Sequence, residues 1–390
     1  MTNSSLLFLL DCVRTKKDSE LENVFKDYSS KSKEIEWLKV FETVPHYYYK
    51  AKSFEGFLKI SKEDKETIEQ LILSKIVKNG ILQYEIKKIA KEFKKSKIDF
   101  IFIKGSALSN TIFKDDNELR IMEDIDVLIK KKQILQSEKA LGKLGYESKQ
   151  SKQERKKTLL EYFHSKYYKN DILLVELHWE LGEKWRWDFV AHERPDINLL
   201  FSSARHLKLG DTNAKMLEPQ YELYLSCFHF ERDLFVAHRK KFYLPLVYFG
   251  RYKHEEKELY FRALKFFYDT KKILKHYKKQ INWEELFSFA KLTKKEYEIF
   301  TLLFLCTKVK TNLPRPVLKK IRKNFFVNLY IKLSERIRYK SLNGLFILYR
   351  IIFYFNLIFG YTSQKKFYLM TRRIVDGIQN LSREVKKFSQ

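Results

Sequence analysis

The segment Arg120–Lys132, which reads RIMEDIDVLIKKK, constrains the fold of this chain more than any other segment. Asp124 and Asp126 stand two positions apart, and the residues between and after them are the apolar ones of a buried strand. Because side chains alternate between the two faces of a strand, both carboxylates are expected on one face and the apolar residues on the other. The segment therefore predicts two acids fixed on a rigid strand.

A second motif precedes this strand. Ile98–Ile103 is rich in β-branched and aromatic residues and predicts another strand, which ends at Lys104-Gly105-Ser106. The next residues, Ala107–Phe113, are expected to form a short helix. A glycine lets the backbone approach a phosphate closely, and a serine hydroxyl beside a helix N-terminus favours anions. Together with the paired acids, this motif suits the binding of Mg²⁺ against a polyphosphate.

A hairpin is predicted further along the chain. Its strands are Glu161–Lys169 and Ile172–His178, and Asn170-Asp171 supplies residues that tolerate turn geometry. On the second strand Glu176 lies on the face opposite a fully apolar row. Glu176 is therefore a candidate third carboxylate of a metal site.

Two histidines of the same hairpin are further candidates, with a structural role as the alternative for each. His178 shares a face with Glu176. His164 faces Leu177 if the turn consists of Asn170-Asp171, and it lies opposite Glu176 if the turn consists of the three residues Lys169–Asp171. The two cases differ because a slip of one residue moves a side chain to the other face of the strand.

The rest of the chain is predicted to be mainly helical. Apolar residues repeat at helical spacing up to residue 95, with Gly80 as a helix stop, and again from Glu218 to His276. Asn282 and Glu285 have the spacing of a reciprocal capping box. We therefore expect an α+β fold with a small mixed β-sheet core and flanking helices, divided into an N-terminal helical region (1–95), the core (96–210), a helical domain (211–315) and a basic aromatic helical tail (316–390).

The segments IFIKGSAL, RIMEDIDVLI, LGKLGY and VELHWEL together resemble the uncharacterised nucleotidyltransferase family of the polymerase-beta-like superfamily. Leu217-Glu218-Pro219, His229, Tyr268-Asp269 and Asn282-Trp283 are similar to the helical C-terminal half of that family. The resemblance covers residues 90–315.

The resemblance implies an enzyme that moves a nucleoside monophosphate from an NTP, with ATP favoured, to an acceptor. The implied cofactor is Mg²⁺, with Mn²⁺ as the alternative. The roles implied for individual residues are metal binding by Asp124, Asp126 and Glu176, with Glu176 also the candidate general base, and phosphate binding by Gly105 and Ser106. Lys104 and Arg120 are expected to neutralise phosphate charge, and His229 and Asp269 are candidates for nucleotide or acceptor contact, with helix packing as the alternative.

The charge of the chain bears on its partners. Lysine and arginine number 77 against 49 acids, which gives a net charge of +28 and favours nucleic acid, nucleotides or anionic membranes. The acceptor stays open among an RNA end, a small hydroxylated molecule and a protein. The rival interpretation is a non-catalytic basic platform that binds RNA or an anionic membrane. Three clustered acids argue against the platform, because they would repel a polyanion.

Two further patterns concern the cellular location. Cys12, Cys227 and Cys306 are far apart and lack zinc-site spacing, which is typical of buried thiols in a reducing compartment. Leu345–Tyr361 is apolar but shorter than the roughly 20 residues of a membrane span, so no span is expected. A buried core helix is favoured, and peripheral contact with anionic lipid through residues 345–373 is the alternative. We expect a cytoplasmic protein, with the inner membrane face as a second location.

Overall fold

The computed structural model describes residues 8, 11–12, 17–30, 33, 35–54, 60–114, 120–181, 195–239, 256–293, 295–308, 311–324 and 327–328. The chain divides into two compact units. The first unit comprises Met1–Ser226, Tyr268–Lys294 and Val309–Thr311, and the second comprises Cys227–Phe267, Lys295–Lys308 and Asn312–Gln390.

The first unit is built on a six-stranded mixed sheet. Its strands are β1 (Phe100–Phe102), β2 (Ile125–Ile129), β3 (His164–Lys169), β4 (Leu173–His178), β5 (Arg205–Leu209) and β6 (Thr212–Met216). They lie in the order β3-β4-β2-β1-β6-β5. Neighbours β2 and β4 are parallel, as are β1 and β6, and the other neighbouring pairs are antiparallel. The predicted α+β class with a mixed sheet is confirmed.

The alternation predicted for the two acid-bearing strands is also confirmed. Ile125 and Val127 of β2 and Val175 and Leu177 of β4 are fully buried in one hydrophobic core. That core takes in the apolar stripe of a long helix, which includes Leu82, Ile86, Ile89 and Phe93. The polar positions of β2 and β4 therefore lie on the face away from this core.

Helices make up most of the rest of the described residues. In the first unit they are α1 (Asp18–Ser29), α2 (Trp37–Thr43), α3 (Pro45–Ala51), α4 (Lys62–Lys95), α5 (Gly105–Leu108), α6 (Ile134–Lys143), α7 (Lys152–Glu161), α8 (Ile197–Ser203) and α11 (Trp283–Leu292). Helices α9 (Pro219–Arg239) and α10 (Glu256–His276) each have residues in both units. The second unit adds α12 (Glu296–Lys308) and α13 (Arg315–Lys323).

Three predicted details were wrong. Gly80 does not end a helix, because α4 runs through it for 34 residues, and the surrounding helical stripe outweighs one unfavourable residue. Asn282 caps α11 as predicted, but the Glu285 carboxylate accepts hydrogen bonds from Gln220 and Tyr221 and does not close a capping box. The helix predicted at Ala107–Phe113 is only the single turn α5.

The β5–β6 hairpin was not predicted from the sequence. Gly210 supplies its turn with a φ of +65°, and Leu207, Leu209, Ala214 and Met216 face the hydrophobic core. Strand β6 pairs with β1 and extends the sheet beyond residue 210.

The sequence also led to expectations about the state of the cysteines and about contact with a membrane. Cys12, Cys227 and Cys306 are buried free thiols, as predicted. Among the described residues, no helix combines the length and apolarity needed to cross a bilayer. Leu345–Tyr361 and the rest of the 345–373 segment lie outside the described residues.

Candidate active site

Three side chains that can bind a metal meet on the polar face of the sheet. Asp126 on β2 is the direct register partner of Glu176 on the parallel strand β4, and His178 follows two residues later on the same face. One ligand atom from each of the three residues lies within 4.8 Å of the others. All three side chains are buried, with exposures of 3% for Asp126, 9% for Glu176 and 1% for His178.

Cationic and imidazole groups surround the two carboxylates. The Lys104 ammonium lies 2.7 Å from Asp126 Oδ1, and His178 Nε2 lies 2.8 Å from the same oxygen. The Lys166 ammonium lies 3.1 Å from Glu176 Oε1, and His178 Nε2 lies 3.4 Å from Glu176 Oε2. The two buried acids are thus balanced by two lysines that reach in from β3 and from the end of β1.

These neighbours keep both acids ionised. Burial alone would raise the pKa of Asp126, but the Lys104 charge and the hydrogen bond with His178 outweigh burial and lower it. Burial would also raise the pKa of Glu176, but the hydrogen bond with His178 and the Lys104 charge help to hold it well below its ordinary value. Both carboxylates are therefore available as anionic ligands at neutral pH.

The hairpin register differs from both alternatives considered for it. The pairs are His164 with His178, Lys166 with Glu176, and Lys169 with Leu173, so residues 170–172 form the turn. Asn170 and Asp171 both adopt positive φ, of 52° and 57°, which sets this turn geometry. His164 consequently lies on the same face as Glu176 but directly opposite His178, so both predicted pairings of His164, with Leu177 and with Glu176, are wrong.

The two histidines stack on each other. Their ring centroids are 5.1 Å apart, and His164 Nε2 is 3.7 Å from Glu176 Oε1. Burial is the main cause that lowers the pKa of His164 to about 3, against the opposing charge of Glu176. His164 is therefore neutral at physiological pH.

The predicted phosphate loop connects β1 to the acid cluster. Lys104 has a φ of +54°, a region that residues other than glycine rarely adopt, and such strain is often found at functional sites. The fully buried Ser106 hydroxyl accepts a hydrogen bond of 2.9 Å from the Asp126 backbone N–H. This hydrogen bond fixes the loop to β2 at Asp126.

Gly105 is required by close packing. A Cβ at this position would lie 2.5 Å from Arg120 Nη1 and 3.1 Å from Met122 Cγ. Any larger residue would force the loop or the guanidinium to move. The space beside Gly105 is therefore already occupied by the Arg120 side chain.

Arg120 and Asp269, two of the predicted residues, form a buried ion pair. Arg120 Nε donates to both carboxylate oxygens at 3.0 and 3.1 Å, and Nη2 donates to Oδ2 at 2.8 Å. The two residues are 149 positions apart in the chain. Asp269 thus binds the same guanidinium that packs against the phosphate loop.

The other predicted residues lie outside the close group of three. Asp124 is half-buried just before β2, and its charge acts on Arg120 and Lys166. His229 belongs to the second unit, where its ring stacks on Phe266 at 5.1 Å.

Lys166 was not identified from the sequence. It follows His164 by two positions on a strand, so strand alternation put it on the same face as the predicted acid. Strand alternation could therefore have identified Lys166 as a neighbour of Glu176, but only if the pairing register of the hairpin had been known.

The donor set fits a divalent cation. Two ionised carboxylates and one imidazole are common protein ligands of divalent metals, and here they converge from two adjacent strands of one rigid sheet.

A comparison with known proteins identifies the family. A family model described as an uncharacterised nucleotidyltransferase matches residues 32–310, which is more than half of the chain. No curated protein and no solved structure matches the chain. The chain belongs to the uncharacterised nucleotidyltransferase family, as the sequence motifs predicted.

Proposed function

We propose that this member of the uncharacterised nucleotidyltransferase family transfers a nucleoside monophosphate from an NTP, with ATP as the expected donor, to an acceptor group. One observation carries the proposal. Asp126 and Glu176 are ionised, buried and directly opposite each other on adjacent strands, and Asp126 is hydrogen-bonded to the Gly105-Ser106 loop. Such a pair of acids beside a glycine-serine loop has the elements that phosphoryl chemistry with a metal ion requires.

A divalent cation bound at Asp126 and Glu176 would polarise the phosphate and offset the charge that develops on the leaving group. Asp124 stands half-buried just before the same strand and adds negative charge that acts on Arg120 and Lys166. Arg120 fills the space beside Gly105, and the Ser106 hydroxyl holds the loop to the backbone of Asp126. Loop and acids thus act as one rigid unit.

Cationic side chains have a second role in this proposal. Lys104 and Lys166 each lie near one carboxylate and are placed to exchange that partner for a phosphate oxygen when substrate enters. Arg120 supports the loop through its packing against Gly105, and Asp269 holds Arg120 in place. Glu176 orients the cation or accepts the proton of the acceptor hydroxyl.

The acceptor class is left to experiment. The net charge of +28 supports a polyanionic acceptor such as an RNA end, and a small hydroxylated molecule or a protein hydroxyl is compatible with the same acids. Incubation with α-labelled NTPs and separate RNA, protein and small-molecule extracts identifies the fraction that becomes labelled.

The decisive variant is Asp126→Asn, which keeps the side-chain size and removes the charge. The matched control is Asp211→Asn, because Asp211 is an exposed acid that pairs with Lys91 on the surface. We expect Asp126→Asn to lower label transfer by at least about 100-fold, since the ion contributes several kcal/mol to the transition state. The control should retain the activity of the unmodified protein.

Equal label transfer by Asp126→Asn and the unmodified protein would contradict the proposal. So would a lack of NTP-dependent thermal stabilisation with any of the four nucleotides in the presence of divalent cations. Strong binding of RNA or anionic liposomes together with that result would support a non-catalytic platform.

A further inference from the structure

The position of the His178 ring goes beyond what a pair of acids requires. A single atom, Nε2, lies 2.8 Å from Asp126 Oδ1 and 3.4 Å from Glu176 Oε2. Two ligand atoms that share an ion at roughly 2.1 Å each are separated by about 3 to 3.5 Å at octahedral or tetrahedral angles. The 3.4 Å separation falls within this range, and the 2.8 Å hydrogen-bond separation lies just below it, so a shift of a few tenths of an ångström gives the nitrogen the spacing of a third ligand.

Neighbouring groups hold the ring in this orientation. His178 is 1% exposed and stacks on His164, and its ring centroid lies 5.7 Å from that of Phe163. Its backbone is fixed by pairing with Leu128 on one side and with His164 on the other. A preorganised ligand loses little conformational entropy when an ion binds.

An acid does not take the third position. Among the described residues, the only group of three metal-ligating side chains that converges in this way is Asp126, Glu176 and His178. Asp124 is not part of it and is half-buried. The donor set near the ion is therefore two oxygens and one nitrogen.

We infer that His178 is a direct metal ligand together with Asp126 and Glu176, and that this centre takes a divalent transition-metal ion such as Mn²⁺ in preference to Mg²⁺. The inference rests on the proposed function, because it assigns the cofactor of the same site. Its physical basis is the nitrogen donor. Mg²⁺ favours oxygen ligands and gives up water reluctantly, whereas imidazole binds transition-metal ions well.

The alternative role for His178 is that of a hydrogen-bond donor that only positions Asp126. The two roles differ in whether the nitrogen touches the ion. Pulsed electron paramagnetic resonance of Mn²⁺ bound to the full chain separates them, because a directly bound imidazole nitrogen gives a characteristic ¹⁴N modulation. The modulation changes when histidine is labelled with ¹⁵N.

Three variants sharpen this experiment. His178→Gln should abolish the nitrogen modulation and weaken Mn²⁺ binding by at least tenfold. His164→Gln removes the stacked neighbour, and His206→Gln removes an exposed histidine of β5, so both should retain the modulation. The spectrum of the unmodified protein is decisive by itself if His178→Gln does not fold.

Competition titration tests the metal preference. We expect the unmodified protein to bind Mn²⁺ at least tenfold more tightly than Mg²⁺, and His178→Gln to lose most of this ratio. Mn²⁺ bound without nitrogen modulation, or equal affinity for the two ions, would overturn the inference and leave the nucleotidyl-transfer proposal standing. Failure to bind either ion, with Asp126→Asn still transferring label, would overturn both.

Discussion

The buried pair between Arg120 and Asp269 gives the sharpest test of how the site is supported. Asp269→Asn keeps the shape of the side chain but removes its charge. The two side chains are only 6% and 1% exposed, so water does not replace the lost partner. Three donor–acceptor contacts of 2.8 to 3.1 Å are weakened at once, and the guanidinium stays buried with an uncompensated charge.

The expected loss of stability follows from this burial. Breaking a buried ion pair from one side costs about 3 to 5 kcal/mol. For a folding unit of this size, one kcal/mol corresponds to about 2 to 4 °C, so Asp269→Asn should lower the melting temperature by about 6 to 20 °C. Differential scanning calorimetry of the full chain at fixed pH and salt measures this change.

Two comparisons isolate the cause. Asp211→Asn breaks the exposed pair with Lys91 and should leave the melting temperature nearly unchanged, because water and salt screen that pair. Arg120→Met combined with Asp269→Leu should recover much of the loss, since an apolar pair needs no desolvated charges. The reasoning is refuted if Asp269→Asn melts within about 2 °C of the unmodified protein, a shift smaller than one kcal/mol at this size.

Gly105→Ala should destabilise the protein by about 1 to 3 kcal/mol and reduce label transfer, because the new methyl group overlaps a guanidinium nitrogen of Arg120. The control is Gly142→Ala, which has open space around it and should be neutral or stabilising in thermal melts. Similar melting temperatures for the two variants would contradict this packing argument. Ser106→Ala should cost about 1 to 3 kcal/mol in urea titrations, because the buried Asp126 N–H loses its acceptor, and an unchanged midpoint would mean that another group accepts this bond. Glu222 is buried, and burial raises its pKa to about 8, so the stability that it contributes is complete below its unfolded pKa and is lost as pH rises toward 8. Glu222→Gln should accordingly match the unmodified protein near pH 5 and melt at a higher temperature at pH 8; a constant difference across this range would exclude the titration.

The acid cluster was predicted from the sequence to the extent that strand alternation fixes it. Ile125 and Val127 identified the buried face of β2, and this put Asp126 on the opposite face, where it is found. The same period of two residues located Glu176 on β4. Both inferences succeeded because alternation is a property of consecutive residues and needs no knowledge of the rest of the chain.

Strand alternation does not predict which charged side chains contact each other. Arg120 was expected to neutralise phosphate charge, and strand alternation gave no sign that its guanidinium binds Asp269, 149 residues away. Lys166 was overlooked, although it contacts Glu176, because its role depends on the hairpin register. That register was decided by positive φ at Asn170 and Asp171, which residue type permits but does not dictate.

By itself, the sequence therefore determined which residues of each strand are buried, that Asp126 and Glu176 lie on the faces opposite those residues, and which family the chain resembles. The tertiary structure decided which strands become neighbours and which charges meet. Parallel pairing of β2 with β4 brings Asp126 beside Glu176 and His178, and the backbone of Lys104 directs an ammonium into the same cluster. The physical reason is the distance along the chain over which each effect acts. Alternation acts between adjacent residues, whereas strand order and ion pairing follow from burying the apolar faces of distant segments together.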